Sequence, residues 1–105
     1  MTLQVFNHRG QEVPLQISTF PGGEEHVRIV LDDPSANYIV QARLTSSQEI
    51  MRLLILDNAF YQQKYKYTLQ APYFPYARQD RVCNKGEAFS IEVMGDLLKG
   101  LKACA

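Results

Sequence analysis

Tryptophan is absent from this chain, cysteine occurs only twice, and eleven acidic side chains cancel eleven basic ones. Each shortage excludes something. Cys83 and Cys104 form neither a disulfide framework nor a C-x-x-C pair, and neither has a ligand partner at metal-binding spacing. Reduced thiols in a cytosolic protein are the simplest reading, and a zinc site is not expected. A cancelled charge gives no electrostatic case for nucleic acid or an anionic membrane, so any anion site must be local. No apolar run approaches the roughly 18 residues of a membrane span. The opening stretch, Met1 to Gly10, has no basic region followed by an apolar one, which argues against a secretory signal. Repeats, low-complexity tracts and linkers are also lacking. What remains is 105 residues, 46% of them hydrophobic, enough for one domain (residues 1–105) with a packed core.

Thr2 to Phe6 is a short strand candidate, and Asn7-His8-Arg9-Gly10 is turn material. Gln11 to Thr19 alternates, with Val13, Leu15 and Ile17 on one side, as a half-buried strand does. The short connection predicts an antiparallel hairpin between these two. His26 to Leu31 alternates again and is expected to pair with the strand before it. Asp32-Asp33-Pro34-Ser35 is a turn, and solvation rather than a metal explains its two aspartates. Asn37 to Ala42 is nearly all apolar and reads as a buried, parallel strand. Ser46 and Glu49 fit a capping box, and a core-facing helix is predicted from Ser47 to about Gln63. Its stripe of Ile50, Leu53, Leu54, Asp57, Phe60 and Tyr61 has one polar member. Tyr67 to Ala71 begins the next strand, parallel to Tyr38–Ala42 through a right-handed βαβ unit. A final helix from Glu87 places Met94, Leu97, Leu98 and Leu101 on one stripe, with Asn84 or Ser90 as its cap. The pattern is that of an α/β sandwich: an antiparallel beginning, then βαβα.

Two loops carry the chemistry. Pro21-Gly22-Gly23 is a turn flanked by Phe20 and by Glu24 and Glu25. The second loop follows the Tyr67 strand and holds Arg78, Gln79, Asp80 and Arg81. Loops at the carboxyl ends of strands are where open α/β sheets bind ligands. Arginine suits an anion there because its fork makes two parallel bonds to phosphate oxygens, and glutamine both donates and accepts. A solvated polar loop is the plainer reading of residue types alone.

The literal strings go further. F-P-Y-A-R-Q-D, Phe74 to Asp80, resembles the signature loop of ribose-phosphate pyrophosphokinase, also called phosphoribosyl pyrophosphate synthetase. F-P-G-G-E, Phe20 to Glu24, resembles that family's F-x-D/N-G-E loop, and V-R-I and Y-I-V-Q follow at the family's spacing. The resemblance covers about residues 15 to 105. It implies a phosphoribosyltransferase-like, three-layer α/β sandwich with a mixed, mainly parallel sheet and an antiparallel N-terminal part. This chain would be its N-terminal, ATP-side half. It implies transfer of the diphosphoryl group of ATP to ribose 5-phosphate with Mg2+, giving phosphoribosyl pyrophosphate and AMP, in a cytoplasmic homo-oligomer that binds neither nucleic acid nor membrane.

By the same resemblance Arg78 and Gln79 bind ATP. Phe20 stacks on the adenine and Glu24 accepts its N–H donors, in a neighbouring subunit's site. Apart from the resemblance, Asp80 is placed to orient Arg78 or Arg81, or a bound metal's water. The sequence departs from the family at three places. The family has a helix between its first two strands; this chain has no room for one. Gly22 stands where the family has Asp or Asn, and Cys83 stands near an acidic position. Cys83 is read as structural, and His8 and His26 match no catalytic histidine. The D-L-H stretch, the pyrophosphate loop and the ribose-phosphate loop would lie beyond Ala105, so the chain alone is expected to be inactive. The alternative is a non-catalytic nucleotide-binding or assembly module that associates with a complete pyrophosphokinase.

Overall fold

A computed structural model describes residues 3–32, 37–73 and 90–104. The strands are β1 (Leu3–Phe6), β2 (Glu12–Val13), β3 (Gln16–Thr19), β4 (Glu25–Arg28), β5 (Tyr38–Arg43) and β6 (Tyr67–Tyr73). The helices are α1 (Ser47–Gln62) and α2 (Ser90–Lys99). One sheet has the order β2-β1-β5-β6, and β3 and β4 form a second, two-stranded sheet.

The expected first hairpin forms, but its second strand is shorter than alternation predicts. β1 pairs antiparallel with β2 over Val5–Val13 and Phe6–Glu12. Pro14 and Leu15 interrupt the run, and from Gln16 the chain joins β4 instead, with Ile17 opposite Val27. Proline has no N–H to give a sheet ladder and is tolerated at strand ends and edges. One alternating stretch therefore serves two sheets.

β5 and β6 are parallel through α1, as expected, with Tyr38 opposite Tyr67 and Val40 opposite Leu69. The sheet is mixed rather than mainly parallel: among the described strands, β1 pairs antiparallel with both β2 and β5. Among the described strands, β1 and β5 each have a strand on both sides. β5 is not buried on both faces. Tyr38, Val40 and Ala42 are buried while Gln41 and Arg43 are exposed. Gln41 donates through Nε2 to Gln70 Oε1 across the ladder at 3.1 Å, so that face is polar.

The core lies between this sheet, α1 and β4. Leu3, Val5, Val40 and Leu44 from the sheet side meet Leu53, Leu56 and Phe60 of α1 and Val27, Ile29 and Leu31 of the second hairpin. Phe60 packs edge-on to Tyr38 and tilted on Tyr67, with centroids 5.7 Å and 4.8 Å apart. Such aromatic contacts add to what burial alone contributes.

Asp57, the one polar member of the predicted stripe, is buried. Tyr67 Oη donates to its Oδ1 at 2.8 Å, Ala103 N donates to the same oxygen at 2.9 Å, and Lys102 N donates to Oδ2 at 2.9 Å. Tyr67 N also donates to Ala103 O, and Tyr67 and Cys104 form a parallel bridge. A buried carboxylate is tolerable when its lone pairs are met in this way. Burial first, then the Asp57 carboxylate, raises the Tyr67 phenol above its ordinary value.

The ends of α1 are set by capping. Ser46 is extended, and its Oγ accepts from Glu49 N at 3.2 Å. The Glu49 carboxylate pairs with Arg52, so only half of the predicted capping box is closed that way. At the far end, Lys64 takes the left-handed conformation at φ 65°, a place glycine commonly holds. Lys64 N donates to Tyr61 O and Tyr65 N to Phe60 O, which closes the last carbonyls. On α2, Leu98 packs on the core while Leu97 stays 45% exposed, so the predicted stripe is only partly buried.

Candidate functional site

Two hairpin turns share one backbone plan. In the first, Gly10 N donates to Asn7 O and Asn7 N to Gln11 O, at 3.0 and 2.9 Å. In the second, Gly23 N donates to Phe20 O and Phe20 N to Glu24 O, both at 2.8 Å. Gly10 and Gly23 both have positive φ, 78° and 93°. Three-residue hairpin loops commonly end on such a residue, and glycine adopts it without a Cβ penalty.

The second turn holds two of the residues singled out from sequence. Phe20 is 49% exposed, and its ring lies 5.3 Å from that of His26, centroid to centroid. Glu24 is exposed and lines a hollow of about 620 Å³ together with Gly23, Glu25, Ser47, Gln48, Met51 and Ile55. Phe20 is not among those lining residues. The backbones of Phe20 and Glu24 are therefore paired, while their side chains meet different surroundings. Gly22 contributes a further detail: a Cβ built there would stand 2.7 Å from Glu24 Oε1. The carboxylate folds back over the glycine, into space that a side chain at position 22 would claim.

Glu25, the neighbouring acid, does something the sequence reading did not assign. Its Oε1 accepts from Gln48 Nε2 at 2.6 Å, and its Oε2 accepts from Arg52 Nε at 2.9 Å. Thr19 Oγ1 donates to the same carboxylate from the strand opposite, and Arg52 Nη1 also reaches Glu49 Oε1 at 3.1 Å. The Gln48 bond, then that from Arg52, hold the Glu25 carboxyl below its ordinary value, and Glu25 in turn raises Arg52. Gln48, Glu49 and Arg52 fall on one helical face by their spacing. The spacing alone does not say that a hairpin acid 23 to 27 residues upstream would meet them.

The other predicted residues, Arg78 and Gln79, lie outside the described residues, as do Asp80 and Cys83. The path toward them is described. β6 runs parallel to β5 and ends at Tyr73, immediately before the Phe74–Asp80 string. His8 is exposed in the first turn. Among the described residues, no three His, Cys, Asp or Glu side chains are grouped to hold a metal ion, and no helix is long and apolar enough to cross a membrane.

These features define a class: a small α/β domain with a parallel βαβ unit and an exposed aromatic-and-acid turn on a separate hairpin. The sequence model of the N-terminal domain of ribose phosphate pyrophosphokinase matches residues 4–101, and the chain belongs to that family. A ribose-phosphate pyrophosphokinase of Thermococcus kodakarensis is 33% identical over 81 residues, which is 76% of this chain and 29% of that protein. Those of Pyrococcus abyssi and Pyrococcus furiosus are 28% and 32% identical, over 88% and 80% of this chain. The chain spans about a third or less of these relatives, 33% and 30% in the last two.

Proposed function

We propose that this chain is the ATP-side half of a ribose-phosphate pyrophosphokinase, and that its two loops serve two nucleotide sites. Arg78 and Gln79 hold the phosphates of one ATP. Phe20 and Glu24 reach the adenine bound at a neighbouring copy, Phe20 by stacking and Glu24 by accepting N–H donors. The complete enzyme transfers diphosphate from ATP to ribose 5-phosphate in a three-layer, phosphoribosyltransferase-like architecture of which this domain is the first part.

The observation that carries the reading is the parallel β5–α1–β6 unit, whose last strand leads directly into the Phe74–Asp80 string. Segments that follow the carboxyl ends of parallel strands are where open α/β sheets commonly take ligands. A guanidinium there meets phosphate with two charge-assisted bonds. The exposed Phe20 ring supports the second half of the reading, since an aromatic left half in solvent at a turn has a face to offer a base. Gly22 removes a polar side chain that the family carries, and the Glu24 carboxylate stands at that place instead. Magnesium would arrive with the nucleotide's phosphates. The described residues do not group into a site for it, so no step is assigned to the metal.

Calorimetric titration of ATP into the chain tests the proposal. Arg78→Ala is expected to weaken binding about tenfold or more, close to 1.4 kcal/mol. Unchanged affinity would remove Arg78 from the site. The chain alone is expected to form no AMP from ATP and ribose 5-phosphate, because the ribose-phosphate half is supplied by the rest of the enzyme. Turnover by these 105 residues would overturn the half-enzyme reading.

A further inference from the structure

We infer that Arg52, acting through Glu25, is a positioning residue for the nucleotide-facing turn. This rests on the reading of Phe20 and Glu24 given above and extends it to residues that contact no nucleotide.

The argument starts from how each of the two like turns is held. The first is held from within. Asn7 Oδ1 accepts from Arg9 N and Gln11 N at 2.9 and 3.0 Å, and Asn7 Nδ2 donates to Gln11 Oε1. In the second, phenylalanine stands where the first has asparagine, so no amide is available to fold back on the backbone. Pro21 presets one dihedral angle of the turn, which stiffens it but does not aim it. Its aim comes from outside. Glu25 is the residue after the turn and opens β4, and its carboxylate is held by Gln48 and Arg52 of α1.

The rest of the hairpin is anchored at its other end. Gln63 Nε2 donates to Ile29 O at 2.8 Å, and Leu31 N donates to Gln63 Oε1 at 3.0 Å, with Val27, Ile29 and Leu31 buried between. Apolar burial fixes β4 on the core but is non-directional. The turn lies beyond the last buried residue of β4 on its side, Val27, so its approach to α1 is set by the Glu25 contacts. The hollow that Glu24 lines is walled on one side by the turn and on the other by Ser47, Gln48, Met51 and Ile55 of α1. Arg52 is well placed for this task because its Nη1 is itself steadied by Glu49, leaving Nε aimed at Glu25.

The test compares variants of the full chain by ATP titration calorimetry and by thermal melting. Arg52→Ala and Glu25→Ala are each expected to weaken ATP binding about fivefold or more. The double variant should be no weaker than either single one, because both remove the same link. Arg52→Lys should recover part of the loss. Asn7→Ala serves as the stability control: it lowers the melting temperature but keeps ATP affinity within about twofold, which a general loosening of the fold would not allow. Phe20→Ala separates the two levels of the argument. If Phe20→Ala weakens binding while Arg52→Ala and Glu25→Ala leave it unchanged, the positioning role is overturned and the turn's own role stands. If Phe20→Ala also leaves affinity unchanged, both are overturned. Additive losses from Arg52 and Glu25 would likewise exclude action through one link.

Discussion

The Asn7–Gly10 turn and the Phe20–Gly23 turn differ almost only in their side chains. Their glycines, their two closing hydrogen bonds and their position between antiparallel strands are the same. One spends its side chains on itself, through Asn7 and Gln11; the other leaves an aromatic ring half exposed and a carboxylate exposed. A turn that locks itself has nothing left for a ligand. A turn that presents groups to a ligand must be steadied by something else, and we assign that task to a helix side chain. Binding loops on rigid scaffolds follow this logic generally.

Three results would break or sharpen the comparison. The largest effect is expected at the shared feature. Gly10→Ala and Gly23→Ala should each destabilise by about 1–2 kcal/mol in urea melts, because each forces a Cβ into left-handed backbone. Neither Cβ would meet an atom within 4 Å, so the cost is conformational and should be alike in both turns. Unequal losses would mean that the turns are not equivalent in backbone. Next comes Asn7→Ala, which strips acceptors from two turn amides and should cost about 1 kcal/mol, since water replaces part of what is lost at this exposed site.

The smallest effect concerns acid. Glu25 has a lowered pKa in the folded chain, so its contribution is present above the ordinary carboxylate value and is lost as pH falls through the folded one. Amide signals followed by NMR below about pH 4 should shift at Thr19 to His26 before they shift at Asn7 to Gln11. Simultaneous movement of both would show that Glu25 is not what holds the second turn.

Some of this was legible in the residues. Ser46 before the apolar stripe placed the start of α1, and the proline and glycines placed both turns. The parallel pairing of β5 and β6 followed from a helix long enough to cross between them. Arg78 and Gln79 were singled out from literal strings, a signal that needs no tertiary structure. Other features were not legible. Alternation carried on through Pro14, so the hand-over from one sheet to the other was hidden. An apolar run at Tyr38–Ala42 looked buried on both faces because composition does not report what covers a sheet. Asp57 was only an irregularity in a stripe. Its three donors come from residues 67, 102 and 103, and no local pattern could pair them.

The order of turns, strands and helices, and the family to which they belong, were written in the chain itself, because backbone preference, capping and motif strings are local properties. Which acid would sit outward at the turn and which would be captured by α1 was decided only by folding. Glu24 and Glu25 are chemically identical neighbours and both line the hollow, but Glu25 opens β4 within reach of Gln48 and Arg52, while Glu24 stays in the turn with its carboxylate over Gly22.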